Sequence, residues 1–132
     1  MFQSVAVVDA SAEECRKLCV VLEHGHYRAI ALHSLYELVE AIQESPCHAV
    51  ILDLDSLPVD NSFIKELRKL KPSVCVIGIS SRTFHPELEE AMRTHICACL
   101  GKPVDMDELT YCLKNVCEAE PSSRASPEEC EY

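Results

Sequence analysis

The chain alternates between two hydrophobic periods. Residues 4–9 (SVAVVD) form a short β-branched run closed by an acid, which predicts a strand. Helical spacing follows at once: Cys15, Leu18, Cys19 and Leu22 make one apolar stripe, with Ser11 and Glu14 spaced as a capping box and Gly25 as the stop. Residues 27–32 predict a second strand, and Ser34 caps a second helix with Leu35, Leu38, Val39 and Ile42 on its inner face. The run 49–54 (AVILDL) is the most hydrophobic and lacks Gly and Pro, as expected of a central strand covered on both faces. Pro58 and Asn61 mark a turn, and Phe63, Ile64, Leu67 and Leu70 supply a third stripe. Residues 74–79 predict a fourth strand, 86–93 a short helix and 96–100 a fifth strand. Asp105 and Glu108 then open a last helix with Leu109, Cys112, Leu113 and Val116 turned inward.

Five strands alternating with five helices imply parallel pairing through right-handed crossovers. The expected fold is α/β: a doubly wound, five-stranded parallel sheet with helices on both faces, the flavodoxin-like (βα)5 arrangement. In such a sheet the functional crevice lies beyond the carboxyl ends of the strands, where strand order reverses. The strand ends carry Asp9, then Asp53 with Asp55 just past it, then Ser80 and Ser81, and finally Lys102 followed by Pro103. An acid closing a strand is often only a turn or helix cap, and Lys-Pro alone is a weak signal. Agreement at four strand ends favours function.

Clustered carboxylates raise one another's pKa unless a cation neutralises them, and an all-oxygen site of this kind suits Mg²⁺. A carboxylate beside such a metal can take up a phosphoryl group. Lys102 is placed to pair with the added charge, and Ser80 to donate a hydrogen bond to it.

The motifs VVD at 7–9, VILD at 50–53, ISS at 79–81 and GKP at 101–103 resemble the receiver domain (CheY-like) of bacterial two-component response regulators. The resemblance covers residues 4–117. It implies that Asp53 is the phosphoacceptor and shares Mg²⁺ with Asp9, with Asp55 a ligand through its backbone carbonyl. It also implies that Ser80 is the switch hydroxyl and Lys102 the phosphate-pairing lysine, with Ser81, Pro103 and Cys99 in secondary roles and the Lys102–Pro103 bond cis. The partners it implies are a histidine kinase or phosphotransfer protein upstream, and a downstream protein target or a second copy in a homodimer. Output would pass through the face of helix four, strand five and helix five. Such a domain is not an enzyme, beyond catalysing its own phosphorylation and slow dephosphorylation.

Four departures bear on that reading. Ala10 stands where the family has a second acid, which removes a metal-site carboxylate and should weaken Mg²⁺ binding. Pro58 lies five residues after Asp53, one more than usual. Cys99 replaces the usual strand-five aromatic, with Gly101 before the lysine. Asn61 or Ser62 takes the place of the usual Gly at the turn into helix three. They motivate the alternative of a degenerate pseudo-receiver acting as a phosphorylation-independent binding module. A flavin-binding or thiol redox protein on the same fold is disfavoured, since the first loop is not rich in Gly, Ser and Thr and no CxxC is present.

Composition narrows the partners. The length of 132 residues suits one domain, and 12 basic against 22 acidic residues give a net charge of −10 with no basic patch, which disfavours direct binding to nucleic acid or anionic membrane. With no secretory signal and no long apolar run, the chain reads as cytoplasmic. Its nine cysteines then read mostly as small buried hydrophobes, although Cys15 with Cys19 and Cys97 with Cys99 share faces that a metal would need. His24, His26, His33, His48, His85 and His95 read as loop or surface residues. A receiver domain over 1–118 and a disordered acidic tail over 119–132 are expected, the tail carrying four acids against one Arg. A chain that ends so soon after helix five is expected to carry no output domain.

Overall fold

The strand Ala49–Asp53 (β3) is buried at every residue. It is flanked on both sides in the sheet, and both of its faces are covered by helices. The structure is a computed structural model that describes residues 3–45 and 47–117, so the tail expected over 119–132 and the side chain of Val116 lie outside the described residues. The remaining elements are β1 (Gln3–Val8), α1 (Ala12–His24), β2 (Tyr27–Leu32), α2 (Leu35–Glu44), α3 (Asn61–Leu70), β4 (Cys75–Ser80), α4 (Glu89–Thr94), β5 (Ile96–Gly101) and α5 (Met106–Cys112). All neighbouring strands pair in parallel, in the order β2-β1-β3-β4-β5. The order reverses between β1 and β3, which places the crevice at their carboxyl ends.

The alternation along β3 divides the core. Val50 and Leu52 join Leu38, Ile42, Ile64, Leu67 and Leu88 under α2, α3 and α4. Ala49 and Ile51 join Cys15, Leu22, Leu109 and Leu113 under α1 and α5. Full burial of each large aliphatic side chain contributes roughly 1.5–3 kcal/mol, so the two layers hold the strand ends firmly in register.

Helix starts follow the sequence signals. Ser11 Oγ accepts from Glu14 N, Ser34 Oγ from Glu37 N, and Asp105 from the amides of Asp107 and Glu108. Other boundaries differ from expectation. β1 and β3 each end one residue early, leaving Asp9 and Leu54 as the first loop residues. Gly25 ends α1 with φ −88°, and it is His26 that takes the left-handed backbone at φ 72°. Residues 86–93 are a 3₁₀ turn, Pro86–Leu88, running into α4, and α5 loosens into a π turn over Leu113–Cys117.

Asn61 is not a turn residue. It is the first residue of α3, whose cap is Asp60, and its Oδ1 accepts from Ala91 N in α4 at 2.8 Å. The family glycine has no left-handed position to fill here, since no glycine and no residue other than His26 has positive φ among the described residues. Cysteine use departs from the buried-hydrophobe reading in two ways: Cys15, Cys47 and Cys112 are free and buried, but Cys97 and Cys99 are exposed with Cys19 half-buried, and buried Cys75 is disulfide-bonded. Cys15 Sγ donates to the Val7 carbonyl at 3.3 Å, so it is tied to the sheet.

Candidate functional site

Register decides which side chains meet at the rim. Asp53 ends β3 opposite Ile79, and Ser80 ends β4 opposite Gly101, so Lys102 is the next residue beyond the sheet. A bulge between Val76 and Ile77 puts one extra residue, Cys97, into β5 and sets that pairing. Gly78 is opposite Leu52, and a Cβ there would meet Leu54 Cδ1 at 2.8 Å; the missing side chain is the space into which Leu54 packs beside Asp53.

Asp53 is 5% exposed. Its Oδ1 lies 2.7 Å from Lys102 Nζ in an ion pair without hydrogen-bond alignment, and its Oδ2 accepts from Ser56 Oγ at 2.7 Å. The same Ser56 oxygen is 3.3 Å from Asp9 Oδ1 and accepts from Ala10 N at 3.2 Å, so one hydroxyl links the two acids. Burial raises the Asp9 carboxyl and the neighbouring charge of Asp53 adds to this, against the hydrogen bond from Ser11 N. Partial burial alone would lower Lys102, but Asp53 and Asp55 outweigh it and hold the ammonium above its ordinary value.

Asp55 turns its side chain toward β4. Its Oδ1 accepts from Ser80 Oγ at 2.8 Å, and its Oδ2 accepts from Ser81 N and Ser81 Oγ at 2.9 Å each, with Lys102 Nζ at 3.1 Å. Desolvation opposes ionisation, yet these donors prevail and hold the carboxyl well below the usual carboxylate range. Ser80 Oγ also receives Arg82 N at 2.9 Å and contacts His85 Nε2 at 2.8 Å.

All the predicted rim residues therefore come together: Asp9, Asp53, Asp55, Ser80, Ser81 and Lys102, with the Lys102–Pro103 bond cis. Cys99 lines a separate groove beside Ser80, Phe84 and Met92. Sequence reasoning missed Ser56, Arg82 and His85. His85, read as a loop or surface residue, does lie in the loop after β4 but is 7% exposed, with its ring against Ser80. A polar ring five residues past a strand-end serine was the available hint.

Residues 5–114 match the family model of the response regulator receiver domain. The chain belongs to that family. It is 25% identical over 111 residues to the transcriptional regulatory protein ZraR of Escherichia coli K12, covering 83% of this chain but only 25% of that protein. In structure the receiver resembles the CheY-like receiver domain protein from Methanospirillum hungatei JF-1, with a TM-score of 0.77 and 16% identity over 86% of this chain and 92% of that one. It also resembles a response regulator from Burkholderia pseudomallei solved with a phosphorylated aspartic acid, calcium ion and citrate, with a TM-score of 0.73 and 18% identity over 86% and 67%.

Receiver domains generally bind Mg²⁺ at acidic residues. Here the donor chemistry fits, with a reduced set. Among the described residues no three His, Cys, Asp or Glu side chains group to hold a metal, because the Asp55 carboxylate is turned away and Ala10 offers none. Asp9 and Asp53 remain, linked through Ser56, and one or two carboxylates with waters is the usual protein share of a Mg²⁺ shell.

Proposed function

We propose that this receiver domain takes a phosphoryl group onto Asp53 from a histidine kinase or phosphotransfer protein, and relays the signal by protein association. The observation that carries the reading is the buried Asp53 carboxylate at the end of the central strand, paired with Lys102 at 2.7 Å. An Asp53 oxygen forms the bond to phosphorus as the phosphorus–nitrogen bond of the donor phosphohistidine breaks, the electron pair going to the ring nitrogen. Lys102 balances the charge that arrives, and Ser80 and the Ser81 amide donate to the phosphoryl oxygens. Asp9, Asp53 and the Asp55 backbone carbonyl would hold Mg²⁺, which supplies positive charge against those oxygens.

Output is assigned to the face of α4, β5 and α5. Tyr111 on α5 is 64% exposed, and Phe84, in the loop between β4 and α4, is 70% exposed and lines a groove with Cys99 and Ser80. The small thiol of Cys99 takes the place of an aromatic switch, so the β4–α4 loop itself, with Phe84, carries the change outward. A cytoplasmic location, beside the kinase, belongs to the same proposal.

Incubation with acetyl phosphate and Mg²⁺ tests the reading by intact mass. One phosphoryl group is expected on the wild type and none on Asp53→Asn; no gain, or a gain that survives the substitution, refutes it. The pseudo-receiver alternative is favoured by Ala10, which contributes only its amide to the site. Calorimetric titration showing Mg²⁺ affinity far weaker than cellular supply would select it.

A further inference from the structure

The donors that would receive a phosphoryl group on Asp53 already hold an anion. Ser80 Oγ, Ser81 N, Ser81 Oγ and Lys102 Nζ all converge on the Asp55 carboxylate within 3.1 Å, and Arg82 Nε stands 3.8 Å from its Oδ1. Ser80 has a single hydroxyl proton and gives it to Asp55, while its lone pairs face Arg82 N and His85 Nε2. Neither the hydroxyl nor the Ser81 amide is free for a newcomer.

We infer that Asp55 is a resident occupant of the phosphate-receiving cradle, and that a phosphoryl group reaching Asp53 engages Ser80 and Ser81 only by displacing it. The inference rests on the phosphoacceptor reading for its biological meaning, but the cradle and its occupant stand on geometry alone. A phosphoryl group carries nearly twice the charge of a carboxylate and three strong acceptor oxygens, so displacement is favourable once transfer has occurred. Before transfer, Asp55 holds Ser80 and Ser81, where the chain leaves β4, through three hydrogen bonds. Asp55 is thereby a positioning residue: it sets both the resting state of the loop and the resistance to loading.

The test follows the Ser81 amide by NMR during titration with orthophosphate, in the Asp53→Asn background, where the acceptor carboxylate no longer repels the anion. If Asp55 fills the cradle about nine-tenths of the time, apparent phosphate affinity rises about tenfold on adding Asp55→Ala, and Asp55→Asn moves it in the same direction. With Asp53 intact, Asp55→Ala should load from acetyl phosphate faster by a similar factor. Equal phosphate affinity with and without Asp55, no phosphate-dependent shift at Ser81 in either protein, or loading that proceeds at the same non-zero rate in both would overturn the inference. Tighter phosphate binding with no phosphoryl gain on Asp53 in either protein would refute the phosphoacceptor reading instead and leave the resident-anion inference standing.

Discussion

Lys102 Nζ stands 2.7 Å from Asp53 Oδ1, joining a lysine side chain one-third exposed to a buried aspartate. Burying Asp53 is tolerable because this cation neutralises it. Removing one partner of a buried pair costs about 3–5 kcal/mol, and the exposure of Lys102 discounts that figure. Lys102→Met should therefore lower stability by roughly 1–3 kcal/mol in urea unfolding. Adding Asp53→Asn should restore part of the loss, giving a clear coupling in the double-mutant cycle. Additive costs would mean that the pair contributes nothing.

A second pair lies away from the rim. Asn61 accepts from the Ala91 amide and so ties α3 to α4. Asn61→Ala should cost about 1 kcal/mol, the value of a lost cap, whereas Asn61→Asp keeps the acceptor and should cost much less. Asn61→Gly should be at least as damaging as Asn61→Ala because the position is helical. Thermal melts of the three variants rank them.

These two sites mark how far the sequence could be read. Element order, the parallel sheet and the convergence of Asp9, Asp53, Ser80 and Lys102 followed from periodicity and from the rule that crevice residues close strands. The direction of the Asp55 side chain did not, because a residue two past a strand end can face either the metal side or β4 depending on loop geometry. Ser56 and His85 were hidden for the same reason: a lone serine or histidine in a loop carries no periodic signal. Asn61 was misplaced because its partner lies thirty residues away in α4.

Gly78 and Leu54 make a third testable contact. A methyl at Gly78 would crowd Leu54 Cδ1 at 2.8 Å in a buried layer. Gly78→Ala should cost about 1–3 kcal/mol by overpacking. In a Leu54→Ala background the same change should be close to neutral, which denaturation of the four proteins would show.

The thiols supply a pH-dependent prediction. Burial pushes Cys19 up to about 12, so it stays protonated as pH rises through 8 and 9 and presents little thiolate to an alkylating agent. Burial also raises Cys15 and Cys47, whereas Cys97 lies exposed on β5. Iodoacetamide at pH 8 should label Cys97 well before Cys15, Cys19 or Cys47 in peptide mapping. Early labelling at Cys19 would contradict the packing of α1 described above.

The central claim is that Asp53 forms the acyl phosphate. The direct measurement is borohydride reduction of the protein after treatment with acetyl phosphate and Mg²⁺, followed by tandem mass spectrometry of the peptide spanning residues 48–65. Reduction converts an aspartyl phosphate to homoserine at the modified position. Homoserine at 53, and at no other acid of that peptide, is the expected result; homoserine at 55, or none at all, would contradict it.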